Sequence, residues 1–167
     1  MPIKRIFILI ILVIGLTSCF CEKCPGRKNL QPCGELIDSL QTQDVQIIQL
    51  GDTLRLILPV DKFFEPASVQ VKRCKAKTLR EIAELTICHC YALSNIRVSG
   101  YSDTVGTISD QKWRSLHQAQ NIAAYLWGYG IPLNRMIVRG FGARGTIAGN
   151  ATPSGEAANR RVEITLP

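Results

Sequence analysis

The succession of β-type and helix-type periodicities after residue 44 is the feature that most constrains the fold of this chain. Two apolar runs, "VQIIQL" and "TLRLILPV", flank a Gly-Asp pair and predict a β-hairpin. Apolar residues then recur at helical spacing up to Ile87, and "NIRVSGY" alternates like a strand. A second helical stripe ends at Gly130 and precedes two strand-like runs, "RMIVRGF" and "RRVEITL". This order predicts an α+β sheet covered by two helices on one face.

The same patterns predict which side chains form the core and where the helices begin. Alternation in the hairpin predicts five core residues: Ile48, Leu50, Leu54, Leu56 and Leu58. The first helix is predicted to begin at Val71 or Cys74, after the loop "FFEPAS". Ser115 and Gln118 have the spacing of a capping box, so the second helix is predicted to begin at Ser115.

The N-terminus has the features of an export signal. Lys4 and Arg5 precede an apolar run, residues 6–16, that is too short to span a bilayer comfortably. The following "LTSC" resembles a bacterial lipobox, which makes Cys19 the predicted lipidation site and mature N-terminus. An uncleaved anchor and a soluble secreted protein are the alternatives. Phe20, instead of an Asp, follows the cysteine and favours the outer membrane as destination.

Three segments are predicted along the chain. Residues 1–18 form the signal peptide, and the polar, turn-rich residues 19–43 form a periplasmic tether. The folded domain is predicted to span residues 44–167. A chain of 167 residues with 46% hydrophobic residues has enough apolar side chains for one ordinary core and too few for two.

Six cysteines follow the lipobox, and their even number in an exported chain predicts disulfides of open pairing: Cys21, Cys24, Cys33, Cys74, Cys88 and Cys90. Cys21 and Cys24 lie in a Pro/Gly-rich segment and do not open a helix, which argues against a redox motif. Cys88, His89 and Cys90 have no second ligand cluster at matching spacing, so no metal site is predicted. Thiol-disulfide exchange by Cys88 and Cys90 is the strongest enzymatic alternative.

Charge and motif content argue against several classes of function. The formal charge of +7 comes from Lys and Arg residues scattered along the chain, without a basic helix that carries aromatic residues. Nucleic-acid binding is therefore not expected. No Ser-His-Asp set, carboxylate pair or phosphate-binding loop occurs in a supporting context. We expect a protein that is not an enzyme and has no cofactor.

Three stretches together resemble a known domain: "SGYSDTVG", "AAYLWGYGIPLNRMIVRGFG" and "NATPSGEAANRRVEITL". They are similar to the OmpA-like domain, the peptidoglycan-binding module of Pal lipoproteins and flagellar stator proteins, over roughly residues 53–167. The resemblance implies a β-α-β-α-β-β sandwich with a mixed sheet, preceded here by a possible extra strand. More narrowly, the lipobox, the tether and "LRLILPVDKFFEPAS" resemble the DotK/IcmN lipoproteins of Dot/Icm type IVB secretion systems.

The resemblance also implies a ligand and a binding site. OmpA-like domains meet the ammonium and carboxylate of diaminopimelate in peptidoglycan stem peptides with an Asp and an Arg about fifteen residues apart. Asp103 corresponds to the Asp, and Val105 in the same loop belongs to the implied site. Gln118 stands at the Arg position, and its amide lacks the charge and planar fork of Arg. Arg114, one helical turn earlier, either supplies the missing charge or points into solvent.

An alternative interpretation gives the charged residues structural roles. In this interpretation Asp103 shapes the turn of its loop and contacts no ligand. Arg160 and Arg161 alternate along the last predicted strand, so one is expected to face solvent and the other to pair with an acid. Glu156 stands where relatives commonly have Arg, and this reverses one charge near the implied groove.

These inferences lead to one expected function and one alternative. The expected protein is an outer-membrane lipoprotein, held by lipid on Cys19, whose periplasmic domain links the membrane or an envelope-spanning type IVB secretion complex to peptidoglycan. Its expected partners are diaminopimelate-containing peptidoglycan, the outer membrane and other envelope proteins of the secretion system. The alternative is a structural subunit of the secretion core in which peptidoglycan binding is weakened or lost.

Overall fold

The computed structural model describes residues 33–88 and 95–167. These ranges contain five α-helices and five strands, with 3₁₀ turns before the third helix and the fourth strand. In chain order the elements are α1 (Cys33–Gln41), β1 (Gln46–Leu50), β2 (Thr53–Pro59), α2 (Val60–Phe63), α3 (Ala76–Cys88), β3 (Ile96–Tyr101), α4 (Ile108–Gly128), β4 (Met136–Gly140), α5 (Pro153–Asn159) and β5 (Arg161–Leu166).

The five strands form one mixed sheet in the order β1-β2-β5-β3-β4. Its strand pairs are antiparallel except for β3 and β4, which run parallel. The predicted fold class, a mixed α+β fold with an extra strand before the first helix-strand unit, is confirmed. Strand β5 lies between β2 and β3 and runs antiparallel to both. The carboxyl ends of β2 and β3 therefore lie beside the start of β5, at one end of the strands.

The predicted hairpin is present, and Gly51 supplies the left-handed backbone of its turn at φ 60°. Three predicted core residues of β2 are buried: Leu54, Leu56 and Leu58. The other two predictions are wrong, because Ile48 and Leu50 are 40% and 58% exposed. β1 is an edge strand, and its register pairs Ile48 with Arg55 and Leu50 with Thr53, on the face turned away from the helices.

The helices form layers on the other face of the sheet. Helix α4 lies across β3 and β4, α3 packs against α4, and α1 packs against α3. The close approach of α4 requires glycine in both strands, because a Cβ at Gly100 or Gly140 would overlap backbone atoms of that helix. The core between the layers contains apolar residues from helices and strands alike, among them Leu36, Leu79, Val98, Ile122 and Ile164.

Helix α4 begins at Ile108, about two turns before the predicted start at Ser115. Thr107 and Asp110 cap it reciprocally: the Thr107 hydroxyl accepts from the Asp110 backbone N–H, and the Asp110 carboxylate accepts from the Thr107 backbone N–H. Ser115 is buried inside the helix and donates its hydroxyl proton to the Lys112 carbonyl. The earlier T-x-x-D spacing, not the S-x-x-Q spacing, is the true start signal.

Helix α1 lies inside the segment that was predicted to be a tether. Leu36 and Leu40 are fully buried in the core, and a disulfide joins Cys33 to Cys88 at the end of α3. The prediction that the folded domain begins at residue 44 is therefore wrong, since the fold includes residues from 33 onward. A helix of nine residues offers only two turns of amphipathic pattern, which turn-forming residues nearby conceal.

Several predictions fall outside the described ranges. The signal peptide, the lipidation site Cys19 and the remaining tether precede residue 33, and Cys21, Cys24 and Cys90 also lie outside. Cys74 is exposed and unpaired among the described residues. Within residues 33–88 and 95–167, no helix is long and apolar enough to cross a membrane, and no cluster of His, Cys, Asp and Glu could hold a metal ion.

Candidate functional site

Two acids and one arginine meet at the edge of the sheet where β5 begins. Asp61 comes just after the end of β2, and Asp103 just after the end of β3. Arg160 immediately precedes β5, whose first residue pairs with the last residues of β2 and β3. The topology thus brings together side chains that lie far apart in the sequence. We call Asp61, Asp103 and Arg160 the edge triad.

Arg160 binds both carboxylates of the edge triad. Its Nε and Nη2 atoms donate to Oδ1 and Oδ2 of Asp61 at 3.0 and 2.7 Å, the bidentate geometry of a guanidinium fork. Its Nη1 atom donates to Oδ2 of Asp103 at 2.7 Å. The hydrogen bonds from Arg160 hold the pKa of Asp61 below its usual value, and the bonds to Asp61 and Asp103 raise the pKa of Arg160.

Asp103 is 3% exposed and has two structural contacts. Its Oδ1 atom accepts a hydrogen bond from the backbone N–H of Val105 at 3.2 Å, as Asp does in Asx turns. Its other oxygen accepts from Arg160, so Asp103 does more than shape a turn. The side chain of Asp61 is 48% exposed, and solvent reaches the triad from its side. With all three groups ionised, the triad carries one net negative charge.

Arg114 lies against the loop that holds Asp103. Its Nη2 atom donates to the Val105 carbonyl at 2.7 Å, while its Nε atom is buried without a hydrogen-bond partner among the described residues. The alternative that Arg114 simply points into solvent is therefore wrong. Val105 itself has an exposed side chain at the rim of this loop. Three of the predicted site residues, Asp103, Val105 and Arg114, are thus linked by hydrogen bonds.

Gln118 follows Arg114 by one turn of α4 and is 7% exposed. Its side-chain amide forms no hydrogen bond with a described residue, Asp103 included. Gln111, earlier on the same helix, donates from its amide to the carbonyls of Thr104 and Gly106 and so fixes the loop in place. The amide of Gln118 retains its hydrogen-bonding capacity for another group.

Arg160 and Arg161 both pair with acids, so the prediction that one of them faces solvent is wrong. Arg161 is buried, donates from Nε to Oε1 of Glu163 at 2.7 Å, and lies 4.0 Å from the ring centroid of Tyr101. Arg160 is the C-cap of α5, not a strand residue, and the alternation of β5 does not extend to it. Glu156 in α5 forms no ion pair with a described residue.

Asp61 and Arg160 were not among the predicted site residues. Asp61 lies directly after a predicted strand in "LPVDKFF", and Arg160 directly before the last one. These positions become informative only when the strand order is known, because that order places the end of β2 beside the start of β5. A search for charged residues at the ends of neighbouring strands is the signal that could have found both.

Comparison with known proteins identifies the family. The model of the OmpA family matches residues 63–160, which is more than half of the chain and includes Asp103, Arg114, Gln118 and Arg160. The chain belongs to the OmpA family. This result confirms the resemblance at the level of the domain, whereas the narrower resemblance to Dot/Icm lipoproteins stays a prediction.

Two relatives and one solved structure extend this comparison. Probable lipoprotein YiaD of Escherichia coli (strain K12) is 32% identical over 132 residues, covering 79% of this chain and 59% of YiaD. Outer-membrane lipoprotein YfiB of Pseudomonas aeruginosa is 28% identical over 156 residues, covering 93% of this chain and 88% of YfiB. The cell wall anchor of the T6SS from Pseudomonas aeruginosa has a similar fold, with TM-score 0.69 and 26% identity, covering 83% of this chain and 98% of that one.

Proposed function

We propose that this chain is an outer-membrane lipoprotein whose periplasmic domain binds peptidoglycan stem peptides and thereby links the outer membrane to the cell wall. The observation that carries the proposal is the edge triad, a net negative site with Arg114 and Gln118 on the helix that follows. A relative named as an outer-membrane lipoprotein and a similar structure named as a cell wall anchor support it. The proposed activity is binding, without a catalytic step.

The chemistry of the ligand matches these groups. The side-chain end of diaminopimelate presents an ammonium and a carboxylate, so a complementary site needs an acceptor of negative charge and a donor. The ammonium is proposed to bind on the solvent-facing side of the edge triad, attracted by the Asp61 and Asp103 carboxylates, and the carboxylate to accept from Arg114 and Gln118. Arg160 is a positioning residue that holds both acids and cancels one of their charges. This cancellation, together with an amide in place of a second fork, predicts weak binding.

Binding to isolated sacculi tests the proposal. The chain without residues 1–19 is mixed with sacculi at increasing concentrations and pelleted. Asp103→Asn removes one charge with little change of shape, and the affinity should fall about ten- to a hundredfold, the effect of one charge-assisted hydrogen bond. Asp52→Asn, in the exposed β1–β2 turn at the opposite end of β2, removes the same charge and should leave the affinity unchanged.

Folding and binding must be separated, because Asp103 also pairs with Arg160. Thermal unfolding shows whether Asp103→Asn is folded at the assay temperature, and the more exposed Asp61→Asn serves as a second variant. Both should lose affinity for sacculi while folded. The proposal fails if the unmodified chain does not sediment with sacculi, or if the two triad variants bind as well as Asp52→Asn.

The lipid anchor is tested by fractionation of cells. Cys19→Ser should leave the chain without lipid and release it from outer-membrane fractions, because more than one acyl chain is needed for stable attachment. Cys21→Ser is the matched control and should stay with the outer membrane. If Cys19→Ser remained in that fraction after salt extraction, lipid on Cys19 would not be the main attachment.

A second candidate function is that of a structural subunit in the core of a type IVB secretion system, with peptidoglycan binding weakened or lost. Gln118 at the usual Arg position and the neutralisation of Asp103 by Arg160 favour it, since both lower the affinity for a zwitterionic ligand. Absence of sacculus binding, combined with loss of the assembled secretion core when the gene is deleted, is the result that this candidate predicts.

A further inference from the structure

The sheet face that is turned away from the helices carries a second concentration of charge. Arg55 on β2, Arg97 on β3 and Arg139 on β4 line a groove of about 310 Å³. Glu163, Tyr101 and Phe141 line the same groove. We call these six residues the basic sheet face. None of them belongs to the edge triad, and the proposed peptidoglycan site makes no use of them.

The pairing register gathers arginines that lie far apart in the sequence. Arg55 and Arg97 both pair with Thr165 of β5 and flank it at one strand spacing each, so their backbones are about 10 Å apart. Arg139 pairs with Ser99, which is two residues after Arg97 on β3. Because residues two apart in a strand point to the same face, the three side chains lie on one side of the sheet.

These arginines have few acidic partners. Arg97 and Arg139 form no salt bridge with a described residue, and Arg55 comes only within 3.9 Å of Glu163, between Nε and Oε2. The Nε atom of Arg55 is buried and has no hydrogen-bond partner among the described residues. Glu163 is engaged at 2.7 Å by the buried Arg161. With Arg161 included, the described residues of this face carry four guanidinium groups and one carboxylate, and only Arg55 and Arg161 lie near that carboxylate.

Aromatic and apolar side chains accompany the charges. The rings of Tyr101 and Phe141 stack at 5.2 Å with an interplanar angle of 12°, and Arg161 lies over the Tyr101 ring, so this wall of the groove is aromatic. Ile48 pairs with Arg55 and Ile137 pairs with Arg97. A partly exposed isoleucine therefore lies on the outer side of each of these two arginines.

We infer that the basic sheet face is a docking surface for an acidic segment of a partner protein. Guanidinium groups bind carboxylates bidentately, and the shortage of acids on this face leaves at least Arg97 and Arg139 available for such contacts. The isoleucines and the aromatic stack add apolar area beside the charges. Arginine and aromatic side chains together are characteristic of protein interfaces, and this mixture favours a peptide over a purely ionic ligand.

Fluorescence anisotropy with a defined probe tests the inference. The probe is a short fluorescein-labelled peptide composed of Glu, Asp and Leu. The control probe has Gln in place of each Glu and Asn in place of each Asp. The chain without residues 1–19 should bind the acidic probe and not the control probe. Arg97→Gln combined with Arg139→Gln should weaken binding at least about tenfold, since two charge-assisted contacts are lost.

A matched variant separates a specific surface from the effect of net charge. Arg73→Gln combined with Arg80→Gln removes the same charge from exposed positions before and within α3. This variant should retain the affinity of the unmodified chain within about twofold. Sacculus binding should be the same in both double variants, so that failure of this inference and failure of the peptidoglycan proposal remain distinguishable.

Three results would overturn the inference. The first is no binding of the acidic probe by the unmodified chain. The second is equal weakening in both double variants, which would show that only net charge matters. The third is binding to phosphatidylglycerol vesicles, lost in the Arg97 and Arg139 variant, without binding to the acidic peptide, which would make this face a lipid-binding surface instead.

Discussion

The edge triad and the basic sheet face both depend on arginine, and they use it in opposite ways. At the edge, Arg160 is shared by two carboxylates at 2.7–3.0 Å, and the net charge of the cluster is negative. On the outer face, Arg97 and Arg139 have no acidic partner among the described residues. An arginine that is saturated by the protein positions other groups, whereas an arginine without partners is available to a ligand.

The difference follows from the sheet topology. Asp61 and Asp103 follow strands that flank β5 in the same direction, so both reach the arginine that precedes β5. The outer face receives its residues from the middle of the strands, where alternation puts an arginine on β2, β3 and β4 and a single acid, Glu163, on β5. Substitutions in the two regions should therefore change the free energy of unfolding by very different amounts.

The largest expected effect is on stability. Arg160→Met removes the guanidinium that bonds to the buried Asp103 and to Asp61, and the free energy of unfolding should fall by about 3 kcal/mol. Arg97→Met removes a guanidinium that has no acidic partner among the described residues, and it should change the free energy of unfolding by less than about 0.5 kcal/mol. Urea unfolding of both variants measures the difference. Equal stability of the two variants would show that the edge triad is no more than a surface ion pair.

The next effect is on binding and concerns the helix beside the triad. Gln118→Arg introduces a guanidinium where the resemblance to OmpA-like domains predicts one, and affinity for sacculi should rise about tenfold if it reaches the ligand carboxylate. Arg114 already occupies part of this region and can repel the new charge. The same substitution in an Arg114→Leu background should therefore give the larger gain, and the double-mutant cycle measures the coupling. No gain in either background would remove Gln118 from the binding site.

The fold was largely predictable because its elements have clear periods. The hairpin, the first long helix and the strands β3, β4 and β5 lie where apolar spacing placed them, and Gly130 follows the end of α4. The failures occurred where local patterns compete with tertiary contacts. Leu36 and Leu40 form a short stripe in a turn-rich segment, and only their packing and the Cys33–Cys88 disulfide reveal α1 as part of the fold.

The two surfaces were less predictable for a physical reason. Asp103, Val105 and Arg114 came from a resemblance to local motifs, whereas the bonds of Arg160 span 99 and 57 positions in the sequence. The basic sheet face was not predicted for the same reason. Its arginines are part of a positive charge that is scattered along the chain, and only the strand register concentrates them. Charge in a β protein must be counted by face, not along the sequence.

The smallest expected effect is a dependence of stability on pH. The hydrogen bonds from Arg160 lower the pKa of Asp61 from 3.8, with smaller contributions from Lys72 and Lys62. A carboxyl group whose folded pKa is depressed stabilises the fold above its unfolded pKa, and this contribution is lost as the pH falls through the folded value. Asp61→Asn should thus be less stable than the unmodified chain above about pH 4, by under about 1 kcal/mol because the side chain is half exposed.

Thermal unfolding from pH 7 down to pH 2 measures this difference. The gap between Asp61→Asn and the unmodified chain should begin to narrow below pH 3.8, where Asp61 takes up a proton in the unfolded chain. It should close only below the lower pKa of folded Asp61, where both proteins carry a neutral group at this position. Arg97→Gln is the control from the outer face: it leaves no carboxylate unpaired, so its stability relative to the unmodified chain should not change over the same range. A gap for Asp61→Asn that stays constant to pH 2 would mean that the edge triad depends on the shape of Asp61 and not on its charge.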